Sequence, residues 1–195
     1  SRSTKQWAEG DYSGKIYDKS VGLELVALFG ALPTSVQRTT TGVYDNTYAM
    51  VQTNQHVSLT AVVAEANQNA RYALSVINSW SLEAEVGDYV KRTVNLMAKK
   101  GATGSDTVTY TNENEFTAKD IVIKFAAAGA IDATLDSATA VKARSVNLEI
   151  AKNADGLQVF GSNDLDDIVN KAVEVTGEFE MYYDDRTYHA LAAAG

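Results

Sequence analysis

Residues Val76 to Ala98 carry the pattern that most restricts the fold. Val76, Asn78, Trp80, Leu82, Ala84 and Val86 form a mostly apolar set, and Ser79, Ser81, Glu83 and Glu85 between them are polar. A period of two with one wet face is what a half-buried strand requires. Gly87-Asp88 supplies a turn, and the return arm sets Val90, Val94, Leu96 and Ala98 against Lys91, Thr93 and Asn95. Each arm of about ten residues would extend ~33 Å at ~3.3 Å per residue, nearly twice a common strand. A hairpin of that length predicts a large sheet or a barrel wall.

The remaining segments are read around it. Trp7 to Tyr17 alternates Ala8, Gly10, Tyr12, Gly14 and Ile16 with Glu9, Asp11 and Lys15, a strand whose small inner residues invite close packing by a helix. Ser20 to Phe29 supplies that helix: Asp18 or Ser20 as cap, Val21, Leu25, Leu28 and Leu32 at helical spacing, Gly30 as stop and Pro33 beyond. Thr34 to Gly42 reads as a polar loop, Val43 to Met50 and Val57 to Glu65 as strands, and Ala70 to Leu74 as a short helical turn. Lys99 to Asn114, rich in Gly, Thr, Ser and Asn, predicts a long loop with a short strand at Thr107 to Thr111. Ile121, Ile123 and Phe125 mark a strand, whereas the alanine-rich stretch from Ala126 to Lys142 has no assignable pattern. Strands at Ser145–Ala151 and Ala172–Tyr183 flank a turn at Asn153–Gly156 and a helical turn over Ile168 capped by Asp164. About eight strands without a βαβ rhythm predict a mainly β fold, an antiparallel sandwich or barrel with a flanking α-helix.

The 195 residues, 45% of them hydrophobic, suit one domain with a sizeable core. No cysteine is present, which excludes disulfides and thiol chemistry. No apolar run reaches the ~20 residues of a membrane-spanning helix and no signal peptide is visible, so a soluble chain without a membrane partner is expected. Seventeen basic against 25 acidic residues leave a net charge of −8, which argues against gripping nucleic acid and suits a surface that repels it.

Motifs for catalysis are lacking. His56 and His189 stand in polar surroundings with no serine or carboxylate that spacing ties to them, and neither phosphate-binding glycine motif occurs. Asp164, Asp166 and Asp167 are the densest acids, but the glycine and distal glutamate of a calcium loop are missing, so capping explains them better and no metal is expected. Asp184-Asp185 reads as a turn for the same reason. Tyr182, Tyr183 and Tyr188 could form a stacking platform for sugars, yet half-buried strand tyrosines are commoner. An acid pair such as Glu83 with Glu178 would suit a hydrolase only at a fixed separation, which the sequence does not set. The expectation is no enzyme and no cofactor.

Three stretches resemble the tail tube (major tail) proteins of tailed bacteriophages: Ser58-Leu-Thr-Ala-Val-Val63, Ser79-Trp-Ser-Leu-Glu-Ala84, and Gly87-Asp-Tyr-Val-Lys-Arg-Thr-Val-Asn-Leu-Met-Ala-Lys-Lys-Gly101. A fourth, Asp167 to Asp185, resembles that family's closing strand. The resemblance implies the phage tail tube fold over a single domain, 1–195. It further implies six copies in a ring, stacked rings forming the conduit for viral DNA, and no catalytic residues to transfer. Implied with it are assembly in the host cytoplasm into the virion tail, and contacts with itself and with other tail proteins such as the tape measure. DNA would pass transiently without specific binding. The family's N-terminal segment with its further strand, and a strand after the final helix, are expected to be missing between Ser1 and Gly195. A non-catalytic host- or carbohydrate-binding β-sandwich on a virion or cell surface is the alternative; it should present an aromatic groove.

Beside the resemblance stands one pattern in the residues. Glu83, Glu85, Glu174, Glu178 and Glu180 fall opposite apolar neighbours on their strands. If the apolar faces bury, these five glutamates share the other side, and in a ring they are the candidate lumen-lining residues.

Overall fold

A computed structural model describes residues 5–53, 57–107, 109–126 and 132–182. His56, His189, Tyr183, Tyr188 and Asp184-Asp185 lie outside the described residues. The chain is mainly β, antiparallel and sandwich-like, with one flanking helix. Its strands are β1 (Ala8–Lys15), β2 (Thr34–Gln37), β3 (Tyr44–Thr47), β4 (Leu59–Val63), β5 (Asn69–Glu85), β6 (Lys91–Ala98), β7 (Ala102–Gly104), β8 (Ala143–Ala151), β9 (Asp155–Leu157), β10 (Asp167–Val169) and β11 (Glu174–Met181). The helices are α1 (Val21–Phe29) and the short α2 (Asp132–Ser137).

The long hairpin is the middle of the main sheet. Its strands run in the order β1-β6-β5-β8-β11, with β4 and β7 paired to the first half of β5. Gly87, at φ +88, turns β5 toward β6, a conformation that side-chain-bearing residues rarely adopt. The first arm is longer than its sequence suggested. β5 runs 17 residues, because Ala70–Leu74 is strand and not a helical turn. Pairing to β4 on one side and β7 on the other decides the matter, satisfying backbone groups that a lone helical turn would leave open.

Asn78 is a bulge. The register shifts between Ile77 and Ser79, so Ile77 faces the same side as Trp80 while Val76 turns to the opposite side. The even-position face therefore does not extend to Val76. Ile77, Trp80, Ala84, Val90, Val94 and Ile150 form the main core with Ile16 and, from α1, Ala27 and Leu28. Val76 joins Leu165 and Ile168 in a second, smaller core across the sheet, where β9 and β10 pair. Ile168 thus sits in a strand, and the helical turn expected there does not form; Asp164 bridges to Gln6 instead of capping.

Helix α1 covers the apolar face, and Gly30 ends it at φ +88 with its N–H on the Val26 carbonyl at 2.8 Å. The expected caps do other work. Ser20 makes no side-chain cap, and Asp18 takes the backbone and side-chain N–H of Asn114 at 3.1 and 2.9 Å. Leu32, beyond the helix, is exposed.

Four further expectations change. Thr34–Gly42 is not a plain loop, since Thr34–Gln37 pairs with Tyr44–Thr47 in a hairpin whose eight strand residues are all exposed. The short strand after the central hairpin lies at Ala102–Gly104, not at Thr107–Thr111. Residues 121–126 form no strand; Lys124 makes a single bridge to Ala140, and Val141 N–H binds the Ile123 carbonyl at 2.8 Å. Asn153–Gly156 runs into β9 as well as turning.

Candidate functional site: an acidic sheet face

Residues directly opposite in antiparallel strands share a face, so the register maps the outer side of the main sheet row by row. One row is Lys15, Lys91, Glu83, Asn147 and Glu178. The next is Ser13, Thr93, Ser81, Glu149 and Thr176, followed by Asp11, Asn95, Ser79, Ala151 and Glu174. Glu85, Ser145 and Glu180 form a shorter row at the turn end. All five predicted glutamates, Glu83, Glu85, Glu174, Glu178 and Glu180, therefore lie on one face of one sheet. Glu9, Asp11 and Glu149 join them without having been nominated. Strand alternation held the signal for Glu149, because Val146, Leu148 and Ile150 interleave with Ser145, Asn147 and Glu149.

The backbone reason is the chemistry of the reverse side. Trp80 and Ala84 on β5, Val94 on β6 and Ile150 on β8 are buried beneath α1, and a strand that buries one face must present the other. Two shallow depressions mark the exposed face. One, of about 440 Å3, is lined by Glu9, Asp11, Glu83, Lys91 and Glu149 among other polar residues; the second, of about 480 Å3, contains Glu83, Glu85, Glu178 and Glu180. No aromatic residue lines the first.

Few cations offset these acids. Lys91 donates to Asp88 at 2.5 Å, which holds its pKa above the usual lysine value, helped by the charge of Asp88 and then of Glu83 and Glu85. Lys15 holds Glu115 at 2.9 Å, and Arg144 approaches Glu180 at 3.5 Å. Amide chemistry stiffens the middle of the face: Asn78 Nδ2 donates to Asn95 Oδ1 at 3.0 Å and Asn95 Nδ2 to Asp11 Oδ1 at 2.6 Å, linking three strands. Glu83 and Glu178 stand two strands apart with Asn147 between them, ~9.6 Å by strand spacing, on open surface.

Behind the face, α1 is fastened by charge as well as by packing. Glu24, 5% exposed, accepts from Arg92 Nε at 2.6 Å and from Trp80 Nε1 at 3.1 Å. Arg92 also donates to the Lys15 carbonyl. Burial pushes the Tyr12 phenol up, and the Glu24 charge adds to the shift against the opposing pull of Arg92. Lys152, fully buried, donates to the Ala27 carbonyl at 2.9 Å near the end of α1, and burial lowers its pKa to about 8. Sequence reading missed both groups, since a Glu and a Lys at these positions look like ordinary surface charges. Among the described residues no cluster of three His, Cys, Asp or Glu could hold a metal.

The described residues thus form an antiparallel sheet with one polar, acid-rich face and a core on the other side. A profile of the phage tail tube protein family matches residues 1–195, and the chain belongs to that family. No curated protein matches it. Its place is accordingly that of a structural component of the virion tail, assembling with itself and with other tail proteins.

Proposed function

We propose that this protein, as one domain over 1–195, forms six-membered rings that stack into the tube through which viral DNA leaves, and that the acidic face lines the lumen. The tape measure is its expected neighbour in assembly, which takes place in the host cytoplasm, and it catalyses nothing. One observation carries the reading. Glu83, Glu85, Glu174, Glu178 and Glu180 share one face of the main sheet, and fixed negative charge repels phosphates over ~8 Å at physiological salt. DNA then slides without breaking ion pairs at each step.

The dimensions suit a conduit. Six copies of a five-stranded sheet give ~30 strands at ~4.8 Å, hence a wall of ~140 Å perimeter and ~45 Å backbone diameter before tilt widens it. Among the described residues the edge strands of the main sheet are β1 and β11, and closing a ring would cover both. A carbohydrate-binding reading is not favoured, as the depression between β1 and β8 has no aromatic wall.

The test is the triple change Glu83→Lys, Glu178→Lys and Glu180→Lys in the full chain. Tubes should form as before by electron microscopy, whereas DNA should adhere and leave slowly or incompletely, with retention falling steeply as salt rises. A structure of the assembled tube with these side chains on its outer surface would refute the reading.

A further inference from the structure

β5 changes partners along its length, and it does so at a strained residue. Residues 69–75 pair with β4 and β7, whereas β6 joins from Val76 and β8 from Ser79. Just before the change stands Leu74 at φ +51, a left-handed conformation that few side chains adopt. The register with β4 slips at the same place, since Leu59 pairs with Ser75 and Ala61 with Tyr72, and the Ser75 hydroxyl donates to the Tyr72 carbonyl at 3.0 Å. Backbone of this kind persists where its surroundings hold it. Here they are the second core: Leu74 packs against the cluster of Val76, Leu165 and Ile168, and the Gln6 N–H fastens the connection between β9 and β10 through the Asn163 carbonyl at 2.8 Å.

The two parts of β5 leave a gap between them. An apolar groove of about 450 Å3 lies between Gly10, Leu96 and Ala98 of the main sheet and Leu59–Val63 of β4, with Tyr72 also lining it. Gly10 stands opposite Leu96, and Leu96 opposite Ile77 of the main core, so the floor of the groove is on the side that α1 covers elsewhere. No α1 residue lines it, so the helix expected over the small residues of β1 does not reach this end of the strand. A Cβ built on Gly10 would meet nothing within 4 Å, and Val63, at the far end of β4, is 48% exposed.

We propose that Leu74 is the hinge of a closing arm. β4, β7 and residues 69–73 swing about it to lower β4 onto Gly10 and Ala98, and the β9–β10 hairpin is the latch that holds the arm open. Hydrophobic burial sets the direction, because closing removes the groove from water and swinging the other way would bare more of it. Leu74 adds to the drive, since leaving φ +51 relieves backbone strain. The latch opposes both by keeping the Leu74 side chain in the second core. Leverage is sufficient: Ala70, the partner of Val63, is four residues from Leu74, so ~13 Å of strand at ~3.3 Å per residue carries Val63 ~7 Å for a turn of ~30°. Hinge, latch and groove belong to a single chain, so the inference goes beyond the tube reading and does not rest on it.

The absence of cysteine lets two spin labels report the arm. Gly10→Cys and Val63→Cys are labelled in the full chain, diluted with unlabelled chain, and double electron–electron resonance reads the distance between them. With the latch intact the longer, open distance should dominate. Ile168→Ala weakens the latch and should bring in a distance shorter by several ångströms; Ile168→Val serves in its place if the alanine variant does not fold. The hinge is read separately at Leu74. Valine, being β-branched, is costlier at φ +51 and should raise the closed-to-open ratio about tenfold above glycine, which accepts that φ freely although it gives up more packing in the latch. Leu28→Ala, in the main core, is the control and should leave the ratio unchanged. No shorter distance on weakening the latch would overturn the inference. So would a glycine effect at Leu74 equal to or above that of valine, or an equal shift from Leu28→Ala, which would mean that the whole chain loosens.

Discussion

Replacing Glu24 with alanine should unfasten α1 from the sheet without touching the acidic face. The side chain is 7% exposed and is shared by Arg92 at 2.6 Å and Trp80 at 3.1 Å, with the Arg92 side chain itself only 11% exposed. Removing one partner of such a buried pair strands a charge and costs ~3–5 kcal/mol. The orphaned indole N–H raises the cost, while the Arg92 bond to the Lys15 carbonyl limits it. For a chain of this length each kcal/mol moves the melting temperature by about 2–4 °C, so Glu24→Ala should lower it by about 6–20 °C. Urea unfolding of the full chain, followed by tryptophan fluorescence, measures the loss directly. Glu24→Met with Arg92→Met should be less damaging than Glu24→Ala alone, because no unpaired charge remains buried. A Glu24→Ala loss below about 1 kcal/mol, or a mutant cycle with no coupling between the two positions, would refute the argument that an ion pair holds the helix.

Further outcomes follow at single residues. Leu28, on the sheet-facing side of α1, is fully buried, so Leu28→Ala should cost ~2–5 kcal/mol by chemical denaturation, and more than the same change at the partly buried Leu25. Lys152 has a folded pKa of about 8 against 10.5 when unfolded, so between those values the unfolded chain binds the extra proton and stability should rise with pH, by on the order of 3 kcal/mol in all. Lys152→Met should flatten that rise relative to the unaltered protein; an identical profile would mean the amine is not desolvated. Above pH 10 the raised Tyr12 phenol acts in the opposite sense, its contribution being lost as pH climbs. Gly87→Val forces φ +88 on a β-branched residue and should cost ~1–3 kcal/mol in thermal unfolding, although a Cβ there meets nothing within 4 Å.

Local alternation made much of this fold legible. β1, α1, β4, the central hairpin, β8 and β11 all form where spacing places them, and the five glutamates share a face because strand alternation and the register align them, although the apolar side of β11 stays exposed and does not bury as expected. Pairing partners distant in the chain were not legible. Ala70–Leu74 has a helix-compatible composition, but β4 and β7 close on both sides of it and impose strand. Asp167–Val169 looked like a capped turn until β9 supplied its partner. Glu149 escaped notice because nothing local says that β8 lies between β5 and β11, which brings it into the same face. Glu24 and Lys152 were hidden because burial of a charge is a property of the whole packing and leaves no mark in spacing.

The bulge at Asn78 has a consequence for how this sequence can change. Its backbone carbonyl receives Lys152 N–H at 2.7 Å, its side-chain oxygen receives Ala154 N–H at 2.8 Å, and its amide reaches Asn95. One residue thus acts as a phase reset, letting a single strand serve the helix-side core with Ile77 and the opposite core with Val76. Drawing Asn78 into the regular ladder, with a partner of its own, would turn every residue from Asn69 to Ile77 to the wrong side of the sheet. The two halves of the strand are free to vary separately in composition.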